Sequence, residues 1–167
     1  MDSDIESKTY EEAGLLILEA NIIVVIGLPA SGKTTTTAIL EKWLENHSVY
    51  HTDDYIDHGY KESLYVMMKD IPADPNPKKI IEGVQCYRFL RKNQELANLP
   101  IDLIIICECN DLERSERYFK RTGNAINEAF DKNLKTVWKD YINGLAASSL
   151  PAPRMITINR GYPNGAN

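Results

Sequence analysis

Apolar residues in this chain come in short unbroken runs, separated by longer stretches with helical spacing. Ile22-Ile23-Val24-Val25-Ile26 is five consecutive β-branched residues. Such a run suits a strand buried on both faces, as a parallel sheet requires. Residues 101–108 form a second apolar run, and shorter ones at 48–52, 79–83 and 154–159 predict three more strands. Between them the period changes. Thr9 and Glu12 have capping-box spacing ahead of Leu15, Leu16, Ile17 and Leu18, which predicts a helix over about 9–20 packed on the sheet. Ile39, Leu40, Trp43 and Leu44 mark a helix ending near residue 46, and 84–97 reads as a further one. Asn110 and Glu113 repeat the capping spacing and open a helix to about Thr122, with Gly123 as its stop. Phe130, Leu134, Val137, Tyr141 and Leu145 recur near helical spacing between 125 and 147.

Strands alternating with helices imply an α/β fold: three layers, doubly wound, around a mostly parallel five-stranded sheet. Ligands of such folds sit beyond the carboxyl ends of the strands. Gly27, Asp53, Gly83 and Asn110 all fall at such ends and are expected to converge. Residues 55–77 break the alternation, with Tyr55, Tyr60, Tyr65, Met67, Met68 and three prolines. They read as an excursion holding one short helix between loops. The tail GYPNGAN reads as loose chain. With no repeat and no linker, residues 1–167 are expected to form one domain.

Composition narrows the setting. The chain has 167 residues, 43% hydrophobic and 26% charged, enough for a real core. No apolar run approaches the roughly 20 residues that span a bilayer. The segment MDSDIESKTYEE is acidic and polar, unlike a signal or transit peptide. Cys86, Cys107 and Cys109 are an odd set without zinc-site spacing, which favours plain thiols in a reducing compartment. The expectation is a cytoplasmic protein, in the host cytoplasm if the source is viral, with no membrane partner. A net charge of −5 gives no global steering toward nucleic acid and leaves a local basic groove open.

The most specific motif is GLPASGKT, residues 27–34, between a predicted strand and a predicted helix. Gly27 and Gly32 let the backbone wrap phosphate oxygens, and the helix that follows adds its positive end. Lys33 is expected to reach the β- and γ-phosphates of ATP and the Thr34 hydroxyl to bind Mg²⁺. Pro29, Ala30, Ser31 and Thr35 complete the cradle. HTDDYID follows the second strand. Asp53 or Asp54 there suits a general base for an attacking hydroxyl, or a solvated acidic turn. IIEGVQCYR places Glu82 at the end of a buried strand, where magnesium, an acceptor hydroxyl or a basic side chain would offset the cost of its charge. RSERYFKR spaces Arg114, Arg117 and Arg121 along one helix face, as a lid over a triphosphate or as a solvated surface paired with Glu113 and Glu116. His47, His51 and His58 are scattered and receive no role. The guanine-reading Asn-Lys-x-Asp and the Asp-x-x-Gly switch of GTPases are both missing from the sequence.

Taken together these motifs resemble the P-loop kinases of nucleosides, nucleotides and other small hydroxyl compounds. The proline-bearing loop is similar to that of small kinases, polynucleotide kinase and the zeta-toxin group. HTDDYID resembles the aspartate motif of uridine-kinase-type enzymes, and IIEGVQ their acidic strand end. The resemblance spans about residues 22–160. It implies a nucleotide-kinase-like fold with a short Arg-rich lid at about 110–123. It implies transfer of the γ-phosphoryl of ATP·Mg²⁺ to an acceptor hydroxyl. Asp53 would be the base, Lys33, Arg117 and Arg121 would stabilise the transferring group, and Arg114 would contact the nucleotide. Thr34 and Glu82 would hold the metal. Asp54, Tyr55, Glu82, Gly83 and Arg88 would face the acceptor. The nearest acceptor class is a nucleoside or nucleotide. The chain is also similar in size to bacteriophage kinases of 5-hydroxymethyluracil in DNA, for which Lys78, Lys79, Arg88, Arg91 and Lys92 would meet phosphates, the favoured reading of the five being a solvated helix face. A non-kinase P-loop NTPase is the remaining alternative. The excursion at 55–77 matches no acceptor motif of these families.

Overall fold

Six strands line up in the order β1-β6-β5-β2-β4-β3, and every adjacent pair is parallel. They are β1 (Glu6–Lys8), β2 (Ile22–Ile26), β3 (Ser48–His51), β4 (Lys79–Glu82), β5 (Leu103–Ile106) and β6 (Arg154–Ile158). The helices are α1 (Tyr10–Glu19), α2 (Lys33–Trp43), α3 (Tyr60–Ala73), α4 (Cys86–Leu96), α5 (Asp111–Thr122) and α6 (Glu128–Gly144). A 3-10 turn over Thr52–His58 follows β3, and a shorter one over Leu145–Ala147 follows α6. This computed structural model describes residues 5–158; the tail GYPNGAN lies outside them.

The expected α/β architecture is present, with a larger sheet than the sequence pattern implied. The sixth strand, β1, is the tripeptide Glu6-Ser7-Lys8 at the sheet edge. It has no apolar signature because its side chains are mostly exposed. It is held by the ladder to β6 and by an ion pair from Arg154 to Glu6 at 3.2 Å. The excursion also differs from expectation. It carries a 14-residue helix, α3, with Pro72 in its last turn. A proline costs little helix where the chain is about to leave it.

Alternate residues of β2 feed two cores. Ile22, Val24 and Ile26 pack with α3, α4 and α6 through Met67, Phe89, Leu90, Leu134 and Tyr141. Ile23 and Val25 pack on the other face with Ala13 and Ile17 of α1 and Leu40 of α2. The capping box of α1 forms as its spacing predicts, with Thr9 Oγ1 accepting from Glu12 N and Glu12 Oε1 accepting from Thr9 N. Asn110 caps α5, and Gly123 closes it in the left-handed conformation. Helix α5 sends only Arg114 inward and leaves Leu112 and Phe119 exposed. It lies across the end of the sheet and outside both cores.

Candidate functional site

Because all six strands are parallel, their carboxyl ends lie along one edge of the sheet. The loop after β2 turns there. A Cβ at Gly27 would strike Ser31 Oγ and crowd the Cys107 carbonyl, so only glycine lets the loop pass this close to β5. The Leu28 carbonyl then accepts from Ser31 N at 3.1 Å and from Lys33 Nζ at 2.9 Å. Ala30 sits at φ +64, a left-handed conformation uncommon for a residue with a side chain. Burial pulls the Lys33 ammonium below its ordinary pKa, and nearby Cys107, Glu82, Cys86 and Asp53 push it back up.

A cavity of about 360 Å³ opens over this loop. Its walls bring together Pro29, Ala30 and Gly32 to Thr35 from the loop and α2, with Asp53 from the 3-10 turn. Glu82 and Val84 enter from the end of β4, and Arg117 and Arg121 from α5. These groups come from four separate places in the sequence. Asp54, Tyr55, Gly83, Arg88 and Arg114 do not line this cavity.

Arg114 has another setting. It is 5% exposed, and its guanidinium donates to Asp131 Oδ2 at 2.5 Å and to the Pro29 carbonyl at 3.2 Å. It therefore ties the loop after β2 to α5 and α6. Arg117 pairs with Glu113 one turn earlier, at 2.5 Å. Arg88 reaches Gln85 and Asn133, Arg91 pairs with Asp140, and Lys92 pairs with Glu95. Lys79 is buried and donates to the Asp74 and Asn76 carbonyls. Most of the basic residues considered for phosphate contacts are thus engaged within the protein.

Gly83 supports the site from behind. Its φ of +134 is open to glycine alone, and a Cβ there would land on Thr52 Oγ1. Gly83→Ala is expected to destabilise the fold by about 1–3 kcal/mol, the range for strained backbone. Urea unfolding of the variant checks this. A midpoint equal to wild type would show that the turn relaxes without strain.

One residue that drew no role from the sequence is at the site. The β3–β4 register aligns His51 with Glu82. His51 Nδ1 lies 2.6 Å from a Glu82 carboxylate oxygen. That bond raises the His51 pKa above its ordinary value against the effect of burial, with help from the charges of Glu82, Asp54 and Glu41. The two residues are 31 apart in sequence. Only the pairing of strand ends would have revealed them. A raised imidazole pKa stabilises the fold fully below the unfolded value of about 6.5, and the benefit fades as pH rises through the folded value. The stability gap between wild type and His51→Gln is therefore expected to be widest below pH 6 and to shrink above neutrality. Denaturant titrations across pH read it directly, and a pH-independent gap would refute the pairing as the cause.

The oxygen donors fit Mg²⁺ in kind. Thr34 and Glu82 line the same cavity, and hard cations favour such oxygens. Among the described residues, no group of three or more His, Cys, Asp or Glu gathers as a metal cage. No described helix is long and apolar enough to cross a membrane.

No protein-family model matches the chain, and no curated protein matches it. Solved structures do. A gluconokinase from Sinorhizobium meliloti 1021 superposes with a TM-score of 0.50 at 14% identity, covering 82% of this chain and 81% of that one. A deoxyadenosine kinase from M. mycoides with bound dATP gives 0.49 at 16% identity, over 83% of this chain and 91% of that one. The first establishes a shared α/β fold and nothing finer.

Proposed function

We propose that the protein is an ATP-dependent phosphotransferase that moves the γ-phosphoryl group to a hydroxyl of a nucleoside- or nucleotide-type acceptor. One observation carries this reading: the cavity over the phosphate loop also holds a carboxylate that suits a base, a second at a strand end, and two arginines from a separate helix. A site that only held a triphosphate would not need a base such as Asp53 in its lining.

The roles follow from position. Backbone N–H groups of the loop and the N-terminus of α2 hold the phosphates. Lys33 leaves the Leu28 carbonyl for the β- and γ-oxygens. Arg117, once released from Glu113, and Arg121 neutralise charge as the phosphoryl group transfers. Asp53 accepts the acceptor's proton. Thr34 and Glu82 would hold Mg²⁺, which supplies charge neutralisation on the phosphates. Burial of Lys33 concentrates these interactions in a site of low dielectric. Arg114 acts as a brace that fixes the loop's shape.

The test is transfer of label from γ-labelled ATP to a panel of nucleosides, nucleotides, sugar acids, and DNA with and without 5-hydroxymethyluracil. Transfer to nucleosides or nucleotides is the expected result. Transfer to the modified DNA alone would make the duplex base the acceptor. Hydrolysis with no gain from any acceptor would replace the kinase by an NTPase.

A further inference from the structure

A second cavity, of about 550 Å³, lies on the other side of the phosphate loop. Leu28 and Ser31 face it, while Pro29, Ala30 and Gly32 face the first. Its other walls are the end of β5, the start of α5, Tyr87 of α4, and Trp138 of α6. None of the residues assigned to the acceptor from the sequence lines it. We infer that this cavity receives the flat heteroaromatic ring of the acceptor, which makes Trp138, Tyr87, Glu108 and Asn110 its specificity residues. The inference rests on the kinase reading for the word acceptor, and on geometry for the rest.

The walls select the chemistry. Trp138 meets Tyr87 edge to face, with centroids 6.1 Å apart, and lies tilted on Tyr141 at 5.6 Å. Trp138 and Tyr87, with Ile26, Leu28 and Ile106, make an apolar and aromatic surface, and Arg114 and Lys135 also border the cavity. A polyol placed against the apolar part of this surface would set hydroxyls where they find no partners, which is costly. A base would stack or pack edge-on and pair only through its rim. The rim supplies both hydrogen-bonding senses. Glu108 is an exposed carboxylate and accepts. The Asn110 oxygen caps Glu113 N at 2.8 Å, which leaves its amide N–H groups as donors. A few placed polar groups in an apolar cavity of this size is the usual form of a small-molecule site. The two cavities share the loop as a wall, so a nucleoside with its ring in the second has to bring its sugar hydroxyl past the loop to the side where Asp53 stands.

The chain has two tryptophans, and Trp43 lies on α2, edge to face with Tyr10 and lining neither cavity. Trp43→Phe therefore leaves Trp138 as a single fluorescent reporter. Titrating that protein with adenosine, guanosine, cytidine, uridine and thymidine, without ATP, is expected to quench Trp138 saturably with at least one of them. Gluconate is expected to give no change. In the otherwise wild-type enzyme, Trp138→Ala should raise the KM of the quenching nucleoside about tenfold, as for loss of one stacked base, with the KM of ATP within twofold. Trp138→Phe keeps a ring and should recover most of it, which separates stacking from a folding defect. Quenching by ATP alone would assign the cavity to the donor's base and overturn the inference. So would phosphorylation of a nucleoside whose binding neither quenches Trp138 nor responds to Trp138→Ala. Quenching without phosphoryl transfer would instead sink the kinase reading and leave a nucleoside site standing.

Discussion

The Asp53→Asn protein is expected to transfer phosphate at least about 100-fold more slowly than wild type, with ATP affinity almost unchanged. The asymmetry comes from position. Asp53 faces the cavity from the 3-10 turn after β3 and is no part of the loop proposed to hold phosphate. Removing its charge takes away a proton acceptor and leaves the cradle intact. Lys33→Ala is the contrast, since Lys33 serves donor and transition state alike and its loss should weaken both ATP binding and turnover. Single-turnover rates at saturating ATP, with ATP binding measured separately, distinguish the two. An Asp53→Asn enzyme at wild-type speed removes Asp53 from the chemistry, and Asp54 becomes the residue to test.

Asp131→Ala should destabilise the fold by about 3–5 kcal/mol, the cost of leaving one member of a buried ion pair unpaired. Arg114 is 5% exposed and Asp131 7%. Arg114 also donates to the Pro29 carbonyl, so the damage should spread to the phosphate loop. For a chain of this size the melting temperature should fall by about 6–20 °C. Replacing both partners by apolar residues, Arg114→Met with Asp131→Leu, should restore much of the stability, because no charge is then left buried. ATP affinity should stay impaired in the double variant, since the brace on Pro29 is still lost. Unfolding and ATP binding measured on both variants would show the two effects coming apart. If Asp131→Ala melts with wild type, the ion pair holds nothing together.

The core strands were readable because burial on both faces leaves an unbroken apolar run, as in Ile22–Ile26. The turn of GLPASGKT between β2 and α2 was readable because its glycines and lysine are local. What escaped was held by partners distant in sequence. Strand β1 is polar, and only its ladder to β6 makes it a strand. Helix α3 buries Met67, Met68 and Ile71, but nearby prolines mask its period. The row Arg114, Arg117, Arg121 looks uniform along the helix. Asp131, from another helix, decides that the first is a brace while the other two line the cavity. His51 and Glu82 meet only because β3 and β4 run in register. Trp138 and Tyr87 carry no local signal, and only the packing of α4 and α6 sets them around a space beside the loop.

The pairing of β1 with β6 also has a consequence for how the chain assembles. Glu6 aligns with Ile156, so the two strands come from opposite ends of the described chain. On a ribosome, β1 would be finished long before its partner leaves the exit tunnel. Closing that last ladder spans nearly the whole chain, the kind of long-range step that slows folding. Until then β6's place beside β5 is empty, and the apolar edge of Leu103–Ile106 stays open to other chains. A ribosome stalled before residue 154 should therefore carry a sticky nascent domain, and release of the remaining residues should seal it.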